Sequence, residues 1–120
     1  MEWRIVGTGL FFLFIFLSGI WLSRSGKPLN GVILNIHKLI GLAAGVLIII
    51  TLYRVNQAAA LDAVEWAAVV VTGLLFVGTV VFGGLLSTGK PMPAAILRMH
   101  QVMSVVTVLA TAGMFLYLGL

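Results

Sequence analysis

At 120 residues the chain is one domain at most, and it is 62% hydrophobic and only 8% charged, against about 25% charged in soluble chains. A water-soluble core of this size cannot hide so much apolar surface, so lipid is the solvent for most of the chain. Cysteine is absent, which excludes disulfides, thiolate metal sites, c-type haem attachment and iron–sulfur clusters, and the formal charge of +4 reads as membrane topology, not nucleic-acid binding.

The first apolar run, residues 5–22, reads IVGTGLFFLFIFLSGIWL, close to the ~20 residues that cross a bilayer. No small-residue cleavage site followed by a soluble domain accompanies it, so it reads as a retained span and not a signal peptide. A Gly-Lys-Pro turn leads to a second span, about residues 31–53, which carries His37. "DAVE", residues 62–65, resembles a capping box and opens a third span, about 64–86. A second Gly-Lys-Pro turn leads to the fourth, about 94–120, with His100. Pro28 and Pro91 are expected in the first turns of their helices, where a missing N–H is harmless. Neither turn is a phosphate loop, because the glycine spacing, the Ser/Thr after Lys and the preceding strand are missing.

The chain repeats itself. GKPLNGVILNIH, residues 26–37, recurs as GKPMPAAILRMH, residues 89–100, with six of twelve positions identical. Glu2-Trp3 recurs as Glu65-Trp66, also 63 residues on, while Thr8-Gly9 matches Thr72-Gly73 and Gly19 matches Gly83 at a spacing of 64. The expected fold is therefore an all-α membrane protein, a four-transmembrane-helix bundle built from two tandem parallel helical-hairpin repeats. The repeats cover about residues 1–57 and 62–120 of a single transmembrane domain, 1–120. Trp3 and Trp66 are expected at one membrane interface and Trp21 at the other.

Arg24, Lys27, Lys38, Lys90 and Arg98 lie on or near the two Gly-Lys-Pro turns, whereas the other side holds Arg4 and Arg54 with Glu2, Asp62 and Glu65. That bias places the turns in the cytoplasm and both termini outside, in a bacterial or archaeal cell membrane.

His37 and His100 each stand nine residues past a repeated proline. Nine helical rises are about 13 Å, roughly a third to half of the ~30 Å hydrocarbon. Ionisable side chains at that depth are candidates for function, and the repeat predicts that the imidazoles face each other at one level. The His37 face continues through Gly41, Ala44, Gly45 and Ile48, and the His100 face through Ser104, Thr107, Val108 and Thr111. Small residues beside a histidine leave a flat slot that suits a porphyrin, whose iron accepts a neutral imidazole on each side. Arg24, Lys27 and Lys90 are then placed to meet the propionates, while Arg98, about 200° round from His100, and Lys38, about 100° from His37, point elsewhere and snorkel.

Plainer readings stand beside this one. A stripe of small residues also serves close helix packing, and a lone histidine also serves as a hydrogen-bonding partner for a Ser or Thr on a neighbouring helix. Met92, Met99 and Met103 with His100 raise copper(I), but Ile36 and Ile40 replace two of them in the first repeat. They read as lipid-facing or packing residues. Zinc would find only half of a tetrahedral shell. Asn35 and Gln101 are expected at packing interfaces, and no catalytic dyad or triad is present.

HKLIGLAAGVLIIITLYRV, residues 37–55, resembles the second transmembrane helix of the bacterial membrane b-type cytochromes, the four-helix, quinone-linked di-haem family. His37, Lys38, Gly41, Tyr53 and Arg54 fit the family pattern. The resemblance implies that His37 ligates haem b. It covers about one helix in four, and the additional histidines of that family, including one on its first helix, are missing here, so two imidazoles suffice for one haem. The expected role is an electron carrier, with no catalytic residues of its own, working with a quinol, a redox partner protein or a second copy in a homodimer. The alternatives are a haem carrier, sensor or assembly protein, and a small transporter subunit with a histidine proton or metal relay.

Overall fold

A computed structural model describes residues 3–120, so Glu2 of the Glu2-Trp3 match and of the charge pattern lies outside the described residues. The chain forms four helices: α1 (Trp3–Ser25), α2 (Gly31–Ala58), α3 (Ala63–Leu86) and α4 (Ala94–Tyr117). All four are long and apolar enough to cross a membrane, and no strand occurs among the described residues. The protein is an all-α integral membrane protein. Helix α1 packs on α2, and α3 on α4, giving two compact units, Met1–Ala60 and Leu61–Leu120. The division falls in the short connection between the sequence repeats.

Two boundaries depart from the sequence reading. Helix α2 continues to Ala58, five residues beyond the expected end at Tyr53. Its 28 residues span about 42 Å at about 1.5 Å each, more than the ~30 Å hydrocarbon, a length that tilt or an end outside the hydrocarbon accommodates. The prolines are the second correction. Pro28 and Pro91 lie in the connections, each three residues before its helix begins at Gly31 or Ala94. In the first hairpin the start is set by Asn30, whose side-chain oxygen accepts from the amides of Val32 at 2.9 Å and Ile33 at 3.1 Å. In the second, Pro93 holds the N-cap position and biases Met92 away from helical backbone.

The turns themselves are alike. Gly26 has φ +70° and Gly89 φ +78°, left-handed backbone that a side chain would strain. Asp62 and Glu65 form the expected capping box, with the Glu65 amide donating to Asp62 at 2.8 Å and the Asp62 amide to Glu65 at 2.9 Å.

Burial follows the repeat too. Ala44 and Thr107, Ile48 and Thr111, and Thr51 and Met114 are buried pairs at a spacing of 63, and Thr8 and Thr72 form a buried pair at 64. Buried hydroxyls need partners in an apolar surrounding. Thr8, Thr51, Thr107 and Thr111 donate to the carbonyl four residues back in their own helices, which lets a polar side chain sit in a packed stripe.

Candidate functional site

His37 stands six residues beyond Gly31, the first residue of α2, and His100 six beyond Ala94, the first of α4. The register is shared, but the rise from the helix start is about 9 Å and not the 13 Å expected when the helices were counted from the prolines. Both residues are half-buried.

Each ring leans on a glycine of the preceding helix. A Cβ added at Gly19 would lie 3.2 Å from Cε1 of His37, and one added at Gly83 would lie 2.8 Å from Cε1 of His100. The repeated glycines thus remove the side chains that would occupy the ring positions. Farther along α1, a Cβ on Gly7 would lie 3.0 Å from Leu47, so the first hairpin runs antiparallel.

The ring nitrogens are held at the same places. Nδ1 of His100 lies 2.8 Å from the backbone oxygen of Thr79. A carbonyl can only accept, so Nδ1 donates. Nδ1 of His37 lies 2.8 Å from Oγ of Ser18, and that oxygen lies 3.0 Å from the oxygen of Ile15. The Ser18 hydroxyl thus stands between the ring nitrogen and the Ile15 carbonyl. At a spacing of 64, Ile15 corresponds to Thr79 and Ser18 to Phe82. The same backbone carbonyl therefore ends both paths, directly in the second hairpin and through a hydroxyl in the first. In a neutral imidazole that donates from Nδ1, the lone pair is on Nε2. Metal-ligating histidines are oriented in this way, by donation from the other ring nitrogen to a carbonyl or comparable acceptor.

The other expected residues fall into groups. Ala44 and Thr107 are buried, and Thr107 Oγ1 lies 3.0 Å from Thr79 Oγ1. The structure thus gathers His100, Thr79 and Thr107 in one network inside the second hairpin. Ser104 is half-buried and donates to the Gln101 oxygen at 2.7 Å. Gly41 and Gly45 are half-buried, and a Cβ on Gly41 would meet nothing within 4 Å. Arg24 closes α1, where a cation suits the helix C-terminus, and Arg24, Lys27 and Lys90 are all exposed, as are Lys38 and Arg98. Met99 is exposed, while Met103 covers Gly78. Asn35 and Gln101 are exposed and not at packing interfaces as expected, because each precedes or follows its histidine by a step that turns it off the hairpin stripe.

An open apolar groove of about 600 Å³ on the first hairpin is lined by Trp3, Gly7, Phe11, Leu39 and Leu42 among others, with neither histidine in its wall. Its lining suits acyl chains. Ser18 and the Ile15 and Thr79 carbonyls are the site components that sequence reasoning missed. The repeated Gly19 and Gly83 were visible signals, but their contact with the imidazoles was not.

Among the described residues no cluster of three or more His, Cys, Asp or Glu is found. Each hairpin offers one imidazole, so a metal ion held by either would need other ligands to complete its shell, such as the four nitrogens that a porphyrin supplies. No protein-family model, curated protein or solved structure matches the chain.

Proposed function

We propose that this chain is a membrane b-type cytochrome in which His37 and His100 are the axial ligands of one haem b, relaying single electrons between a quinol or another redox partner and an acceptor. The observation that carries the reading is that both histidines, one per hairpin, have Nδ1 engaged at 2.8 Å within their own hairpin, by Ser18 Oγ and by the Thr79 oxygen. Shared register in α2 and α4 and the resemblance of residues 37–55 to quinone-linked cytochromes support it further.

Bound haem supplies reversible one-electron exchange. The chain supplies the rest. The glycine contacts limit how each ring can turn, and the Nδ1 bonds orient it and raise its basicity. Gly41, Gly45 and Ser104 are assigned to the surround of the macrocycle, with Arg24, Lys27 and Lys90 as cations for its propionates, whereas Ala44 and Thr107, expected there too, are covered within their own hairpins. Were haem held by both histidines, oxygen would find no ligand position, and electron transfer would be favoured over oxygen chemistry. The Gly-Lys-Pro turns are assigned to the cytoplasm of a bacterial or archaeal cell on their basic residues.

The test is absorbance of the purified protein from haem-replete cells, with His37→Ala and His100→Ala made separately. A sharp low-spin band on reduction, lost in each variant, is expected. Its retention in either variant rejects the ligand pair. A band shifted by carbon monoxide turns the reading toward a haem carrier or sensor, and a colourless protein toward a histidine relay.

A further inference from the structure

Both hairpins carry an open groove on the same face of the repeat. The groove of the first includes Leu39, Leu42 and Ala43, and a groove of about 470 Å³ on the second is lined by Arg98, Gln101, Val102, Val105 and Val106. At the spacing of 63 those valines are the counterparts of Leu39, Leu42 and Ala43, while Arg98 answers to Asn35 and Gln101 to Lys38. Each face therefore combines a cation, an amide three residues away and an apolar groove, with cation and amide exchanged between the copies. All four polar residues are exposed. We propose that each face binds one anionic phospholipid of the leaflet on the Gly-Lys-Pro side, with the headgroup phosphate on the cation and the amide and an acyl chain in the groove.

Charge identifies the occupant. Arg98 stands four residues past Ala94, and Lys38 seven past Gly31, the first residues of α4 and α2. Those steps are about 6 Å and 10 Å along the helix axis. Helical side chains lean toward the N-terminal end of their helix, so both cations reach back toward the headgroups from beside the acyl chains. No acidic side chain stands near either along the chain. The three that exist, Glu2, Asp62 and Glu65, precede α1 or open α3, a whole helix away from the nearest Gly-Lys-Pro turn. Lipid phosphate is the anion at hand, and a negatively charged headgroup suits a basic pocket with no carboxylate beside it. The amides add N–H donors for the phosphate oxygens. Asn35 and Lys38 lie one turn before Leu39 and Leu42, as Arg98 and Gln101 lie one turn before Val102 and Val105, so each polar group heads a stripe of its groove.

The experiment is native mass spectrometry of the full chain, released from nanodiscs of phosphatidylglycerol and phosphatidylcholine in equal amounts with the same acyl chains. Two retained phosphatidylglycerols per chain are expected. Lys38→Gln and Arg98→Gln are each expected to lose one and the double variant both, whereas Arg98→Lys keeps both. Arg54→Gln removes the same charge near the opposite end of α2 and is expected to change nothing. Equal retention of the two lipids, no retained lipid, a double variant that keeps both, or an equal loss in Arg54→Gln overturns the assignment. The samples are prepared without haem, so the result is separate from that of the cytochrome reading.

Discussion

Gly83 and His100 are in contact across α3 and α4. A methyl group on that glycine would lie 2.8 Å from Cε1 and 3.2 Å from Nδ1 of the ring, closer than packed carbon atoms tolerate. The same relation joins Gly19 to His37, with more room at 3.2 Å and 3.8 Å. Gly83→Ala must push the His100 ring off the Thr79 carbonyl. The expected loss is about 1–3 kcal/mol of hairpin stability from overpacking, measured by denaturation in detergent, together with a changed His100 tautomer by NMR. Gly19→Ala is expected to lose less, and Gly41→Ala, with open space beside it, to stay within about 0.5 kcal/mol of the parent.

Thr79 and Thr107 bring their hydroxyls to 3.0 Å with, for each, a carbonyl of its own helix also in reach, so two protons are shared among three contacts. Hydrogen bonds between membrane helices average about 0.6 kcal/mol. A double-mutant cycle of Thr79→Val and Thr107→Val is expected to return a coupling of about that size. Thr111→Val is the contrast, since its hydroxyl bonds the Thr107 oxygen within α4 and its removal should affect α4 alone. Through all three substitutions His100 keeps its acceptor, so its ring nitrogens should report no change.

Asp62 and Asn30 cap their helices through side-chain oxygens. Replacing either by Ala should cost about 1 kcal/mol. Amide hydrogen exchange localises the effect: Asn30→Ala speeds exchange at Val32 and Ile33, and Asp62→Ala at Glu65. Protection at the start of α4, where Pro93 makes no side-chain cap bond, should not change in either variant.

The chain divides between Ala60 and Leu61. A protease site inserted there, cut in detergent, is expected to leave the helical circular dichroism signal intact, because α1 packs on α2 and α3 on α4, each pair on one side of the cut. A large loss of helix on cleavage would show that each hairpin depends on the connection.

Much of this was readable from composition and spacing. The four spans follow from apolar length, the hairpin repeat from correspondences such as Thr8 with Thr72 and Gly19 with Gly83, and the capping box from Asp62 and Glu65. The helix starts were misread where prolines were taken as first-turn residues. A proline at N1 and a proline in the connection look the same until the competing cap, Asn30 or Pro93, is seen to fix the first turn. Asn35 and Gln101 were misplaced for a related reason: a polar residue in an apolar run does not announce whether it faces a neighbouring helix.

Sequence by itself determined that the chain lives in lipid, that it is helical, and that its histidines occupy matching positions, since these depend on composition, length and period alone. Only tertiary structure decided what the imidazoles touch. A hydrogen bond from Nδ1 to the Thr79 carbonyl uses a backbone atom that every residue possesses, so no letter at position 79 encodes it; the contact exists because two antiparallel helices bring that carbonyl, and the bare backbone of Gly83, to the ring.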